Sequence, residues 1–190
     1  MRPLTISSLF LVTAVALFCA PVIQAQMQMP VYINVTAGCN QPNRADIKAG
    51  YAIGMTIGIA LYNNHIEGEL LLLKNDLTYR DGTGGIQQIP ILVTYRRQIP
   101  FGASRWALQA GGSIGISHER IPDSDNCYYH NNLRSKWGMT YGGQVIVVYK
   151  VNSTVSVNAG LRFIYVDNKK YLTDPLQISR ILTLGTSFRF

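Results

Sequence analysis

The chain has 190 residues, of which 47% are hydrophobic and only 14% are charged, and its net charge is +7. One domain fits this length, and the low charge, together with 17 glycines and 11 tyrosines, favours β-structure that contacts lipid. Beyond the N-terminal segment, no unbroken apolar run reaches the length of a membrane-spanning helix, which excludes a helical membrane protein.

The N-terminal segment has the pattern of a secretory signal peptide. Arg2 precedes an apolar run at residues 9–18, and the small Ala25 follows. We therefore predict a cleaved signal of residues 1–25 and one mature domain of residues 26–190. A positive net charge can indicate a nucleic-acid partner, but an exported protein does not meet nucleic acid, so we exclude this class.

The rest of the chain consists of runs in which apolar residues alternate with polar or small ones, as in strands with one oily face. In the run at residues 50–61, large apolar side chains alternate with alanine, glycine and threonine. Small residues on one face suit the inside of a narrow barrel. The predicted strands span residues 30–38, 50–61, 66–80, 87–98, 105–118, 136–150, 154–166 and 178–190.

The third run has apolar residues in both phases, because Leu70 is followed by three more leucines. We place Glu67 and Glu69 on the inner face, since a carboxylate that faces hydrocarbon is costly. Lys74 then faces outward.

Eight strands with both chain ends on one side predict an all-β, eight-stranded antiparallel up-and-down transmembrane β-barrel. The connections agree, because short turns fall on one side and longer loops on the other. The predicted turns are residues 62–65, 99–104 and 151–153, and the predicted loops on the opposite side are residues 39–48, 119–135 and 167–177. Residues 81–85 are the one short link on the loop side, and their Asp-Gly and Gly-Gly steps suit a tight hairpin.

Five segments carry a resemblance to a known family by their order and spacing. They are residues 66–70 (IEGEL), 89–95 (IPILVTY), 107–115 (ALQAGGSIG), 158–163 (NAGLRF) and 188–190 (FRF). They resemble the small eight-stranded outer-membrane β-barrels, the family that includes OmpX and the OmpA membrane domain. The resemblance implies residence in the outer membrane of a Gram-negative bacterium and insertion by the barrel-assembly machinery, which reads terminal aromatic residues such as Phe188 and Phe190. It implies no single activity, since relatives include structural proteins, adhesins, host-evasion proteins and a few lipid enzymes.

Charged residues on the predicted inner faces point to an ion network in the lumen. A hairpin centred near Gly82 and Thr83 would place Glu69 opposite Arg96. We expect the network to fill the lumen, because eight strands leave room for side chains rather than for a channel, and a pore gate is the alternative. The predicted network is Glu67, Glu69, Arg96, Arg162 and Arg189.

Basic residues gather near the predicted loop side, where the outer leaflet presents phosphorylated lipopolysaccharide. Lysine and arginine can hold its phosphates, although a solvated charged surface explains them equally well. The predicted rim is Lys74, Arg80, Arg120, Arg134, Lys136, Lys169 and Lys170.

No catalytic, metal or cofactor site emerges from the sequence. Ser117 and His118 are neighbours on a strand and point to opposite faces. Outer-membrane lipid A deacylases of this fold use a His-x-Ser pair, whereas no histidine of this chain has serine two positions later. The histidines and cysteines also lack metal-ligand spacing.

The longest predicted outer loop contains Tyr128 and Tyr129, which offer contact area for a partner. Cys39 and Cys127 remain after export, and we predict a disulfide between them. We therefore expect a non-catalytic outer-membrane barrel with a structural or surface-interaction role. The alternatives are a lipid-modifying enzyme, a narrow small-solute pore, and a soluble lipocalin-like barrel with its faces reversed.

Overall fold

The computed structural model describes residues 30–43, 47–79, 82–122, 133–167 and 176–190. Of residues 77–79, 82–84, 121–122, 133–134 and 176–177, only the backbone is described. The predicted signal peptide lies outside the described residues. No helix in the described ranges is long and apolar enough to span a membrane.

Eight antiparallel strands form one closed barrel, in which each strand pairs with the next along the chain and β8 pairs with β1. This confirms the predicted architecture. The strands are β1 (Val31–Pro42), β2 (Gly50–Leu61), β3 (Asn64–Tyr79), β4 (Gly82–Pro100), β5 (Trp106–Pro122), β6 (Leu133–Lys150), β7 (Val155–Asp167) and β8 (Leu176–Arg189).

The two ends of the barrel differ in their connections. At one end, which we call the turn end, residues 62–63, 101–105 and 151–154 join the strands, and β1 begins and β8 ends there. At the opposite loop end, several strands extend further than predicted, because backbone pairing continues past the expected boundaries. Cys39, predicted in a loop, therefore lies within β1, and Glu119 lies within β5.

The strands are staggered by ten residues around the barrel. A register line that starts at Thr186 returns to β8 at Leu176. Such a stagger requires the strands to tilt by roughly 40° to the barrel axis, and eight strands leave an interior just wide enough for side chains. The line passes through Thr186, Val35, Met55, Leu70, Ile91, Ile116, Met139, Asp167 and Leu176.

Side chains alternate between the lumen and the outside along each strand. In β2 the small residues face inward, as predicted, and in β3 Glu67 and Glu69 are buried while Leu70 and Lys74 are exposed. The chosen phase of β3 is therefore confirmed. Leu71 also faces inward and is 1% exposed.

The outer surface is apolar and is flanked by aromatic residues near both ends. Trp137 and Tyr149 on β6 both face outward and are twelve residues apart. At about 3.3 Å per residue and about 40° of tilt they are separated by roughly 30 Å along the axis, close to the thickness of a bilayer core. A soluble lipocalin-like barrel would have the opposite arrangement, so that alternative is wrong. Exposed aromatic residues are Tyr95, Phe101, Trp106 and Phe188 towards the turn end and Tyr51, Trp137, Tyr141 and Phe163 towards the loop end.

Gly54 offers a test of how tightly the lumen is filled. A Cβ atom at this position would lie 2.6 Å from Leu71 Cδ2 and 2.7 Å from Thr36 Oγ1, whereas one at the lipid-facing Gly68 would meet nothing within 4 Å. We expect Gly54→Val to destabilise the barrel by about 1–3 kcal/mol, because overpacking forces buried side chains from their rotamers. A urea titration of the folded protein in detergent micelles measures the change in the free energy of unfolding. The matched Gly68→Val variant should cost much less, and equal losses would contradict a filled lumen.

Candidate functional site

A charged layer occupies the lumen nearest the turn end, and two ion pairs form it. Arg96 Nη2 pairs with Glu67 Oε1, and Arg162 Nη1 lies 2.5 Å from Glu69 Oε1. The Glu67 and Glu69 side chains are each 1% exposed. Charges buried so fully are stable only when paired and hydrogen-bonded, so each arginine compensates one carboxylate.

Neutral polar side chains complete the bonding of this layer. The Arg162 Nε and Nη2 atoms donate to Gln144 Oε1 at 3.1 and 2.6 Å. Tyr32 donates its hydroxyl to Glu67, and His65 Nδ1 lies 3.1 Å from that hydroxyl oxygen. The four charges are therefore held by a network that spans β1, β3, β4, β6 and β7.

The predicted pairing of Glu69 with Arg96 is wrong. Thr78 pairs with Thr83 and Tyr79 with Gly82, so the pairing of β3 with β4 is shifted by four residues of β4 from the predicted register. The change places Glu69 opposite Leu92 and lets it reach Arg162 on β7 instead. Arg189, the fifth predicted member, is exposed at the turn end.

An apolar layer lies on the loop side of the charged layer, within the lumen. Its members face inward and are at most 2% exposed. Side chains buried so fully leave little room for a hydrated ion, and their apolar atoms would not replace its water, so transfer of a charge past them would be costly. The described side chains fill the lumen here. The layer consists of Ala52, Leu71, Leu73, Leu92, Ile164, Val166 and Ile181.

A second polar layer follows at the loop end of the lumen. Asn40 Nδ2 donates to Asn75 Oδ1 at 2.7 Å, and Gln88 donates to the fully buried Glu119. Lys136 is the register partner of Glu119 and shares its inward face. The structure therefore turns Lys136 towards the lumen at the loop end, whereas the prediction placed it on the lipopolysaccharide-contacting rim.

Two cations of the predicted rim face outward at the loop end. Lys74 is exposed beside its register partner Tyr51, and Arg120 is half-buried on β5. Arg180, which the sequence analysis missed because it interrupts the apolar face of β8, is exposed beside Phe163. The remaining rim residues are Arg80, Lys169 and Lys170, which lie outside the described residues, and Arg134, of which only the backbone is described.

The structure brings a serine and a histidine together that the sequence did not connect. His118 Nε2 lies 2.5 Å from Ser135 Oγ across β5 and β6, and the His118 ring packs against Trp137 with centroids 4.7 Å apart. Both residues face outward, whereas Ser117 is fully buried in the lumen, as predicted. Glu119 also lies in the lumen, bonded to Gln88, so it does not extend the pair to a triad.

Only one cysteine of the predicted disulfide lies within the described residues. Cys39 is exposed on the outward face of β1, between Tyr51 and Leu182 in register, and forms no disulfide with a described residue. Its predicted partner Cys127 and the tyrosines beside it lie outside the described residues, so the bond stays a prediction. Within the described ranges, no three histidine, cysteine, aspartate or glutamate side chains are grouped to hold a metal ion.

A closed eight-stranded barrel with an apolar outside and a polar, side-chain-filled lumen defines a small transmembrane β-barrel. The chain matches the family of the outer membrane protein beta-barrel domain over residues 10–190. It belongs to that family and is an integral outer-membrane barrel. The predicted resemblance is thereby confirmed.

Solved structures show the same fold at low sequence identity. Neisserial surface protein A is 15% identical with a TM-score of 0.69, and the match covers 84% of this chain and 97% of that one. The attachment invasion locus protein Ail of Yersinia pestis is 10% identical with a TM-score of 0.57, covering 85% and 99%. OprG of Pseudomonas aeruginosa is 14% identical with a TM-score of 0.53, covering 85% and 95%. No curated protein matches the chain by sequence.

The ion pair of Glu69 and Arg162 can be tested by a double-mutant cycle. Arg162→Met should destabilise the barrel by about 3–5 kcal/mol, because it leaves the Glu69 carboxylate buried without its counter-charge. Adding Glu69→Gln should recover much of this loss. Urea unfolding in detergent micelles gives the free energies of unfolding.

The exposed Arg189→Met serves as the control and should cost little. If the effects of Arg162→Met and Glu69→Gln simply add in the double variant, the two residues are not coupled and the ion pair has no energetic role.

Proposed function

We propose that this protein is a non-catalytic outer-membrane barrel that binds partners at the cell surface through its loop-end connections. The observation that supports this proposal is the closed lumen: with the interior filled, the connections at the loop end are the part of the molecule left to meet a partner. The turn end carries the chain termini of the barrel, so it faces the periplasm and the loop end faces outward.

The filled lumen argues against a small-solute pore. A hydrated ion would have to displace the ion pairs of Glu67 and Glu69 and then cross an apolar layer that includes Leu73 and Ile181. Both steps are costly, because the buried charges lose their partners and the ion loses its water. The charged layer therefore holds the barrel together rather than gating a channel.

A lipid-modifying enzyme is the remaining alternative, and only the pair of His118 and Ser135 favours it. A serine needs an adjacent base, which His118 supplies at 2.5 Å. An oriented base normally also needs a third group, and the neighbouring Glu119 points into the lumen. We therefore assign this pair a structural role at the loop end of β5 and β6.

We further propose that the outward cations at the loop end hold phosphates of lipopolysaccharide. Lys74 and Arg180 lie beside the aromatic residues Tyr51 and Phe163, the level at which long basic side chains reach lipid headgroups. Their charges would neutralise phosphates of the outer leaflet.

The aromatic residues at the end of β8 suit a role in assembly. Phe188 faces outward near the turn end, and Phe190 packs against the buried Val31 and Ile33. We propose that these two terminal aromatic residues are recognised by the barrel-assembly machinery before the barrel closes.

Surface recognition is tested with the two tyrosines of the connection between β5 and β6. A non-adherent Gram-negative strain that expresses the protein should bind to cultured animal cells. Tyr128→Ala combined with Tyr129→Ala should lower this binding about tenfold, because aromatic residues supply much of the energy at such interfaces.

Tyr62→Ala is the matched control, since Tyr62 is exposed in a turn at the opposite end. It should leave binding unchanged. Equal binding by strains with and without the protein would contradict the surface-interaction role, while a heat-dependent gel shift shows that each variant forms a barrel.

Lipopolysaccharide contact is tested by paired charge removal. Lys74→Gln combined with Arg180→Gln should lower the amount of lipopolysaccharide that copurifies, because each substitution removes a cation at the phosphate level. The matched control is Arg97→Gln combined with Arg105→Gln, which removes two exposed cations at the turn end. The same retention in both double variants would refute the assignment.

A further inference from the structure

The lumen opens at the turn end into a cavity of about 230 Å³, which we call the vestibule. A water molecule occupies about 30 Å³ of liquid, so the vestibule has room for a small solute and several waters. It is smaller than the pockets that hold drug-sized ligands, which begin at about 300 Å³. Its size therefore fits a small ion or a single charged group.

The wall of the vestibule is cationic. Arg96, Lys150 and Arg189 line it, and none of the described residues in the lining is a carboxylate. Arg96 is paired with Glu67, which lies deeper in the lumen and also accepts the Tyr32 hydroxyl. Lys150 and Arg189 are exposed at the opening and leave the vestibule with an excess of positive charge.

One buried donor on a lining residue, Nε of Arg96, lacks a hydrogen bond within the described part of the chain, and Arg96 is only 4% exposed. A buried nitrogen without a partner is costly, and most such groups in proteins are satisfied. The Arg96 Nε–H group is a donor that suits an anion.

The opening of the vestibule is held in place by backbone contacts. Asn152 Oδ1 accepts hydrogen bonds from the backbone N–H groups of Thr154 and Val155 at 2.9 and 2.7 Å, which fixes the turn at residues 151–154. The backbone N–H of Arg189 donates to the Thr154 carbonyl at 2.7 Å. The backbone of Arg189, the cation at the opening, is therefore hydrogen-bonded to an ordered turn, which lowers the entropic cost of binding.

The vestibule has no exit on its inner side, because the charged layer and then the apolar layer close the lumen. A solute that enters from the turn end must leave the same way. The arrangement suits a binding site rather than a conduit.

We propose that the vestibule binds a small oxyanion, a phosphate or carboxylate group, from the turn-end side of the membrane. Arg189 and Lys150 attract the anion at the opening, and Arg96 meets it at the base. Guanidinium groups match the geometry of both oxyanions, because their N–H donors form a planar fork.

The test is a titration of the refolded barrel in zwitterionic detergent with inorganic phosphate and, separately, with acetate. Chloride keeps the ionic strength constant, because screening alone changes weak electrostatic binding. The arginine Nε–H resonances of protein labelled with ¹⁵N report on the site. We expect the Arg96 resonance to shift saturably with phosphate, acetate or both, and the more tightly bound ion identifies the preferred group.

Arg189→Gln should weaken the binding about tenfold, since it removes one charge-assisted contact. Arg97→Gln is the matched control: Arg97 is the chain neighbour of Arg96, is exposed, and faces outward at the same end. It should leave the affinity unchanged. No saturable shift with either ion, or equal weakening by the two substitutions, would overturn the proposal.

Discussion

The structure depends on the requirement that every backbone N–H and C=O group inside a bilayer be hydrogen-bonded within the protein. A sheet meets it only by closing on itself, which β8 achieves by pairing with β1 from Tyr32 to Pro42. Closure with eight strands and a ten-residue stagger then fixes the diameter of the lumen. Every inward residue must fit that diameter, so the sequence of the inner face follows from the need to satisfy the backbone.

The inner face meets this limit by placing large side chains opposite small ones. A Cβ atom at Gly58 would lie 2.6 Å from the Tyr32 ring and 2.8 Å from Glu67 Cγ. The glycine of β2 thus leaves the space in which Tyr32 reaches the Glu67 carboxylate. The same reasoning explains why β2 has only Ala, Gly and Thr inside, while β3, its neighbour, supplies the two carboxylates of the charged layer. The alternation of large and small side chains and the positions of the buried charges therefore both follow from how the lumen is packed.

The sequence predicted what depends on local alternation and missed what depends on pairing between strands. The bounds of β2 and the phase of β3 followed from period two and from the cost of a lipid-facing Glu67. The partner of Glu69 did not, because a shift in the centre of one hairpin changes every pair along it. Arg162 lies 93 residues further along the chain and reaches Glu69 only through the stagger of the whole barrel. The pair of His118 and Ser135 was missed for the same reason, since two different strands contribute it.

The order of the layers along the axis gives the two ends of the barrel different chemistry. Towards the turn end the lumen is polar and opens beside Arg189, whereas on the loop side of the charged layer it is sealed by apolar residues such as Leu73. Burying a charged group is costly even when it is paired. The apolar layer fills its part of the lumen without burying further charges. A lumen filled in this way disfavours exchange of solutes between the two ends. It is consistent with the proposal that each end interacts with its own compartment, the loop end through its connections and the turn end through the vestibule.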